Sequence, residues 1–495
     1  MGKINSEALI VTKLLRLGQT SLIFFLSKLL ASVLGFISTL YIARLLGSGA
    51  LGIYSVATAV VSWVVLFGTM GVSSGIEKRV SERDEPSAYA IAGVSIVSVL
   101  AAVLMIAILV FRGPVNEYIG TSAAGFIAAM VIVTLGQSTV MSLLNGRKLV
   151  HISGAFSPVK TGSRAGSQIL ALFFGLGIVG LFGGYIIGYL VVILGGAYVL
   201  IRDFDNISRP RSRHFRGILS FAKYAWLGGL RSKAFNWVDI ALLGFFVSNA
   251  LIGYYTAAWN IAQFLIVFGT AISQTLFPEM SESAAADDPE TVSNLLNTSL
   301  SYAGLIIIPG IVGGTLIGER LLRIYGPDFT QAGLVLSILI LATLLQSYQK
   351  QFTTTFNALD RPEIAFRVNL VFIVSNVVLN VVLIMTYGWI GAAVATALSV
   401  GISLIIAYGY MNSILDFTTP VREIIKQWVA AALMACFLIT LIRINARYSL
   451  IENNLLFVSL AIPSGAALYF SSLLGLSRQF RTTVRDNLPD RIYSS

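Results

Sequence analysis

FAKYAWLGGLRSKAFNWVDIALLGFF, residues 221–246, is long enough to cross a bilayer, yet it carries Arg231, Lys233, Asn236 and Asp239 near its middle. About 20 residues at a rise of 1.5 Å span the hydrocarbon core. A basic residue at the centre of such a helix costs roughly 2.5–3.5 kcal/mol on insertion scales. Two of them, Arg231 and Lys233, are tolerated only where they face water or the interior of a helix bundle. Charge held at that depth points to function, and its positive sign suits an anionic headgroup.

The rest of the chain reads as the housing of that charge. Of 495 residues, 56% are hydrophobic and only 12% charged, against roughly 25% charged in an average soluble domain. Mean hydropathy is +0.82. The class is an all-α polytopic membrane protein. Apolar windows predict fourteen spans, near 20–43, 49–75, 88–111, 119–144, 151–175, 178–201, 217–246, 250–278, 291–318, 330–356, 363–387, 389–413, 423–443 and 453–475. The N-terminal residues, with Leu9, Ile10, Leu14 and Leu17 beside Lys13 and Arg16, read as an interfacial helix leading into the first span. A lone Cys436 excludes an internal disulfide, and His151 and His214 lie in different loops. No metal, cofactor or nucleic acid is expected. The acidic run PEMSESAAADDPE (278–290) reads as a solvated loop.

Lys and Arg in the short loops number about 20 on the side of the N-terminus and 6 on the other, which places both termini in the cytoplasm. The most basic loop, DFDNISRPRSRHFRG (203–217), separates two related halves. LGIYSVAT (51–58) returns as IGYYTAAW (252–259), and FGT and SE recur about 200 residues on. LLNGRK (143–148) pairs with TFNALDR (355–361), and each leads to a Gly-rich hairpin, GLGIVGLFGG (175–184) and YGWIGAA (387–393). Six spans per repeat keep both copies in one orientation, so the repeats are parallel. The expected organisation is a six-helix lobe over 1–201, a basic linker over 202–216, a second six-helix lobe over 217–414, two extra helices over 415–475 and a cytoplasmic tail over 476–495.

These features resemble the polysaccharide-repeat (Wzx-type) flippases of the multidrug/oligosaccharidyl-lipid/polysaccharide superfamily. The carriers are YIARLLGSGALGIYSVA (41–57) with its later basic loop GIEKRVSE (75–82), the LNGRK turn (144–148), and FNALDRPEIAFRVNLVFIVSNVVLNVVL (356–383). The resemblance implies two lobes around a lumen that rock between inward- and outward-facing states. A lipid-linked oligosaccharide would pass its phosphate and glycan through the lumen while its polyprenyl or dolichyl tail stays among the membrane lipids. Glycan-assembly enzymes are further partners on this reading, and no covalent chemistry is required.

Eight basic residues lie within predicted spans, Lys28, Lys160, Arg164, Lys223, Arg231, Lys233, Lys350 and Arg367, against one mid-span acid, Asp239. Arg and Lys are the natural counter-charges of a phosphodiester or diphosphate. Lys223, Lys350 and Arg367 lie near a cytoplasmic end and can snorkel. Arg231 and Lys233, with Lys160, Arg164 and Lys28, form the expected cationic lumen. Lys160 and Arg164, four apart, share a helix face. Asp239 either pairs with Arg231 or Lys233 or binds a coupling ion. Asn369, Asn376 and Asn380, and likewise Asn260 and Gln263, are candidates for glycan contacts or for hydrogen bonds between helices. The aromatics of YYTAAW (254–259) are expected at the membrane interface. Two competitors remain. A multidrug or cation-coupled exporter on this fold would show buried carboxylates, and a membrane glycosyltransferase or polymerase would need a large outside loop.

Overall fold

The computed structural model describes residues 2–69, 71–82, 84–204 and 207–486, with side chains described for all of these except 2–26, 28–29, 223–229, 231–232 and 268. Among the described residues the chain is helical throughout, with no strand. The helices gather into two compact units, Met1–Gly253 and Tyr254–Ser495.

The first unit holds α1 (Gly2–Thr69), α2 (Val72–Ser81), α3 (Pro86–Val110), α4 (Arg112–Ile119), α5 (Ala124–Gly146), α6 (Val150–Phe173), α7 (Gly177–Asp203) and α8 (Ser212–Phe246). A long helix, α9 (Asn249–Ala285), opens at its end. The second unit continues with α10 (Pro289–Ala303), α11 (Ile307–Leu322), α12 (Gly333–Ala358), α13 (Pro362–Ile414), α14 (Val421–Tyr448), α15 (Asn454–Leu476) and α16 (Arg478–Asp486). Within it α14 and α15, the two extra helices, pack on each other and on α11.

Ten segments among the described residues are long and apolar enough to cross a membrane. Two of them run through a sharp turn at a glycine, α1 at Gly47 (φ 77°, ψ −177°) and α13 at Gly388 (φ 60°, ψ −144°). Both conformations are essentially confined to glycine. They fall between the spans that the sequence separates at 43/49 and 387/389. The helices α6 and α8, which carry the mid-membrane charges, are not among the ten. α3 shows why lipid is the surrounding medium: Val99, Val103, Ile106, Leu109 and Val110 are all exposed along it, an arrangement that water would not sustain.

Lipid gives apolar helices no reason to prefer one another, so association rests on close backbone approach. Gly52 and Gly253, at matching places in the two sequence repeats, show this reciprocally. A Cβ at Gly52 would lie 1.8 Å from the Asn249 carbonyl oxygen, and one at Gly253 would lie 2.0 Å from that of Ser48. Each glycine rests on the carbonyl four residues ahead of its counterpart.

Another apolar segment is broken: α10 ends at Ala303 and α11 resumes at Ile307. Backbone groups freed inside a membrane must find partners. The Ser301 carbonyl accepts from Gln427 Nε2 at 2.6 Å, and the Ala303 carbonyl from Ser347 Oγ at 2.8 Å.

The basic segment before α8 is tied to the first unit. The Arg211 N–H donates to His214 Nδ1 at 2.8 Å, which leaves Nε2 to carry the proton toward Glu85 Oε2 at 2.7 Å. Arg213 Nη2 reaches the same oxygen at 2.6 Å, Arg79 Nε donates to the Gly217 carbonyl at 3.1 Å, and His214 is buried edge-on to Tyr89.

Two predictions follow from these contacts. Gly52→Ala and Gly253→Ala should each destabilise the purified protein by about 1–3 kcal/mol or more, whereas Gly409→Ala, which meets open space, should not; thermal unfolding in detergent reads the difference. The hydrogen bond from Arg213, reinforced by His214, holds the Glu85 carboxyl below its ordinary value of 4.5. A depressed carboxylate contributes fully above the unfolded value and is lost as pH falls through the folded one. Hydrogen exchange over 207–216, corrected for intrinsic rate, should therefore stay slow from neutral pH to about 4.5 and quicken only below it. Glu85→Gln should quicken it already at neutral pH.

Candidate functional site

The site forms on the α6–α7 pair of the first unit. Gly180, Gly184 and Gly188 fall four apart along one face of α7 and meet Ala171, Gln168 and Arg164 of α6. A Cβ at Gly188 would stand 2.6 Å from Arg164 Cβ and 2.8 Å from its Cα. The two backbones therefore touch, and the base of Arg164 is fixed. One turn on, buried Gln168 donates from Nε2 to the Leu181 carbonyl at 3.0 Å and accepts from Ser38 Oγ at 3.1 Å, joining α7 and α1 to α6.

Arg164 lies midway along its 24-residue helix. Its neighbours are the phenols Tyr54 of α1 and Tyr185 and Tyr189 of α7. Tyr54 engages the guanidinium; among the described residues Arg164 Nε is buried without a hydrogen-bond partner, and no carboxylate pairs with the guanidinium. Tyr185 is 2% exposed. Its hydroxyl lies 3.0 Å from Thr134 Oγ1, which also reaches the Met130 carbonyl at 2.7 Å, so the phenol is tied to α5. The rings of Tyr185 and Tyr189 stack at 4.2 Å and 16°. Lys160, one turn before Arg164, holds its ammonium 5.1 Å from the centroid of Tyr189. The result is a cationic pair walled by phenols, in the middle of a membrane helix. Chemically it can hold an anion and the ring beside it.

Of the residues singled out from sequence, the structure brings Lys160 and Arg164 together. Lys233 is half-buried on α8 and Asp239 is buried six residues further on, which at 100° per residue puts them on different sides of that helix. The side chains of Lys28 and Arg231, like that of Lys223, lie outside the described residues. In the second unit Asn260, Gln263 and Asn369 are half-buried, and Asn369 Oδ1 is buried without a hydrogen-bond partner. Asn376 and Asn380 are fully buried; Asn376 Nδ2 donates to Thr396 Oγ1 at 3.2 Å and joins the two halves of α13, and Asn380 Nδ2 donates to the Asn376 carbonyl at 2.9 Å. Of the aromatics of 254–259, Tyr254, Tyr255 and Trp259 are buried, and Tyr254 packs on Phe329 and Trp389.

Sequence reading missed the three tyrosines. It also missed a polar belt on α12, Gln346, Ser347, Gln349 and Gln351, of which the last three are buried. The spacing of Tyr185 and Tyr189 on the helix turn, facing Gly-packed α6, was the available signal for the first. QSYQKQ (346–351) inside an apolar helix was the signal for the second.

Such a fold, with its long apolar helices, defines a polytopic membrane protein. The chain belongs to the polysaccharide biosynthesis protein family, whose model matches residues 17–284; the MatE model matches residues 233–382. It is 31% identical to a Haloferax volcanii protein named "Probable flippase AglR", over 96% of this chain and 99% of that one. It is 25% identical to a probable low-salt glycan biosynthesis flippase of the same organism, over 87% of this chain and 91% of the relative. Among solved structures, the lipid II flippase MurJ in an inward closed conformation matches with a TM-score of 0.75 at 16% identity, covering 94% of this chain and all of that one. An inward-facing multidrug resistance MATE family transporter matches at 0.64 and 14% identity, over 77% of this chain and 95% of the other. The two structural matches establish likeness of fold.

An uncompensated cation that serves a ligand is a burden on the empty protein. Arg164→Met, similar in length and apolar, should raise thermal stability by about 1–3 kcal/mol. A fall in stability would instead make Arg164 a structural pillar of the α6–α7 pair.

Proposed function

We propose that this protein flips a polyprenyl- or dolichyl-phosphate-linked oligosaccharide from the cytoplasmic to the outer leaflet, by alternating access, for assembly of a surface polysaccharide or glycoprotein. The observation that carries the reading is Arg164, a guanidinium midway along α6 with no carboxylate partner among the described residues and with Lys160 one turn away. A phosphate headgroup crossing a medium of low dielectric needs such a counter-charge. Full-length similarity to chains named as flippases supports the same conclusion. Arg231, Lys233 and Lys28 extend the cationic path, Asp239 serves as a charge partner of Arg231 or as the site of a coupling ion, and Asn260, Gln263, Asn369, Asn376 and Asn380 supply polar contacts for the glycan or between helices. Transport on this reading forms and breaks no covalent bond.

The reading carries a topology. Separating the paired helices at Gly47 and Gly388, and adding α6 and α8 to the ten apolar segments, brings the crossings to fourteen. Both termini are then on the cytoplasmic side of the cell membrane, as the distribution of Lys and Arg requires. The two repeats supply six crossings each and the C-terminal pair the remainder. Glycan-assembly enzymes on either side of the membrane are the natural suppliers and users of the cargo.

The MatE match favours a multidrug exporter as the second reading. Deleting the gene and following lipid-linked glycans by leaflet separates the two. Intact lipid-linked oligosaccharide should accumulate on the cytoplasmic side and clear when wild type is restored. Arg164→Gln should restore transport to about 10% or less, the factor that 1.4 kcal/mol of lost stabilisation represents. Unchanged glycan lipids with altered drug sensitivity would establish the exporter instead.

A further inference from the structure

We infer that the ring of Tyr189 is the platform for the sugar attached directly to the lipid phosphate, and that Lys160 occupies that platform only until substrate arrives. The inference rests on the flippase reading and deepens it, from an anion site to a site that reads the sugar–phosphate junction.

Tyr189 is held as a flat surface. One face stacks on Tyr185 at 4.2 Å and 16°, and Tyr185 is buried and anchored through Thr134. With that face covered by a fixed ring, the other remains, and the Lys160 ammonium lies over it, 5.1 Å from the centroid. A ring quadrupole is a modest partner for an ammonium. A phosphate oxygen is a much stronger one, since both donor and acceptor are charged. An arriving phosphate therefore draws Lys160 off the ring and uncovers it. Arg164, one turn further on the same face of α6, is placed to take a second phosphate oxygen, and its buried Nε lacks a partner.

The uncovered ring then needs an apolar partner of similar size beside the phosphate. The C–H face of a pyranose is one, since aromatic side chains combine a large apolar surface with few rotamers to freeze. The Tyr54 hydroxyl, which engages Arg164, is placed to bond a sugar hydroxyl as well. One exchange thus couples recognition of phosphate to recognition of its first sugar. A lipid phosphate lacking sugar would leave the ring bare of both lysine and pyranose, and would bind less tightly.

Binding to full-length protein in nanodiscs tests this with three probes: dolichyl phosphate, dolichyl phosphate carrying a single hexose, and free hexose 1-phosphate. Wild type should bind the hexose-bearing lipid about tenfold more tightly than the bare one. Tyr189→Leu should erase that preference, the hexose-bearing lipid losing about tenfold more affinity than the bare one, and Tyr189→Phe should keep it. Lys160→Gln should weaken binding of both lipids. Matched thermal unfolding of the two Tyr189 variants separates loss of recognition from loss of fold. Equal weakening of both lipids by Tyr189→Leu, or a preference that survives it, overturns the platform. Tight binding of free hexose 1-phosphate with no preference for either lipid assigns the site to a soluble sugar phosphate and overturns it too. Failure of wild type to bind either lipid overturns the flippase reading itself.

Discussion

A guanidinium midway along a helix, with no carboxylate among the described residues to neutralise it, is the constraint around which the first unit is arranged. Water cannot reach such a group freely and lipid will not solvate it. The chain answers with dipoles rather than charge. Phenols from α1 and α7 turn toward Arg164, and one of them is locked by a hydroxyl relay through Thr134 to the Met130 carbonyl. An aspartate there would have been the cheaper solution for an empty protein. It would also have consumed the charge that an anionic cargo needs. Phenols stabilise the cation and leave it unspent.

Dipoles act over short distances, so the arrangement depends on helices that approach closely. The Gly180, Gly184 and Gly188 face of α7 supplies that approach, bringing its backbone against Arg164 itself. Where helix ends are freed inside the apolar layer, as between α10 and α11, side chains from α12 and α14 take up the carbonyls. Polar groups here do the two tasks that membrane interiors assign them, joining helices and meeting cargo. Gln168, Asn376 and Ser347 belong to the first task, and under the proposed function Arg164 and Lys160 belong to the second.

The helices were legible because a span is a long apolar run, and the turns at Gly47 and Gly388 were legible because only glycine adopts them. Lys160 and Arg164 were legible as charges out of place. Their environment was not. Tyr185 and Tyr189 sit in GYIIGYL (184–190), which reads locally as an ordinary span with aromatics near its middle. Their role appears only when the glycine face brings α6 against them, a contact between residues more than twenty positions apart. The packing of Tyr254 failed to read for the same reason: a Tyr at a span's beginning suits an interface, and the partners that bury it, Phe329 and Trp389, lie far along the chain. The α12 belt was hidden by Lys350, whose nearness to a helix end drew attention to snorkelling and away from the glutamines around it.

The central claim is transbilayer movement of a lipid-linked glycan, and reconstitution measures it without a cell. Purified protein in liposomes holding a fluorescent, short-chain polyprenyl-phosphate-linked oligosaccharide, with an impermeant quencher outside, reports how much cargo remains on each leaflet. The account predicts that the protein brings inner-leaflet cargo within reach of the quencher many times faster than protein-free vesicles do. An exchange no faster than in empty vesicles, from protein shown to be folded, with a drug-like cation moved instead, would contradict it.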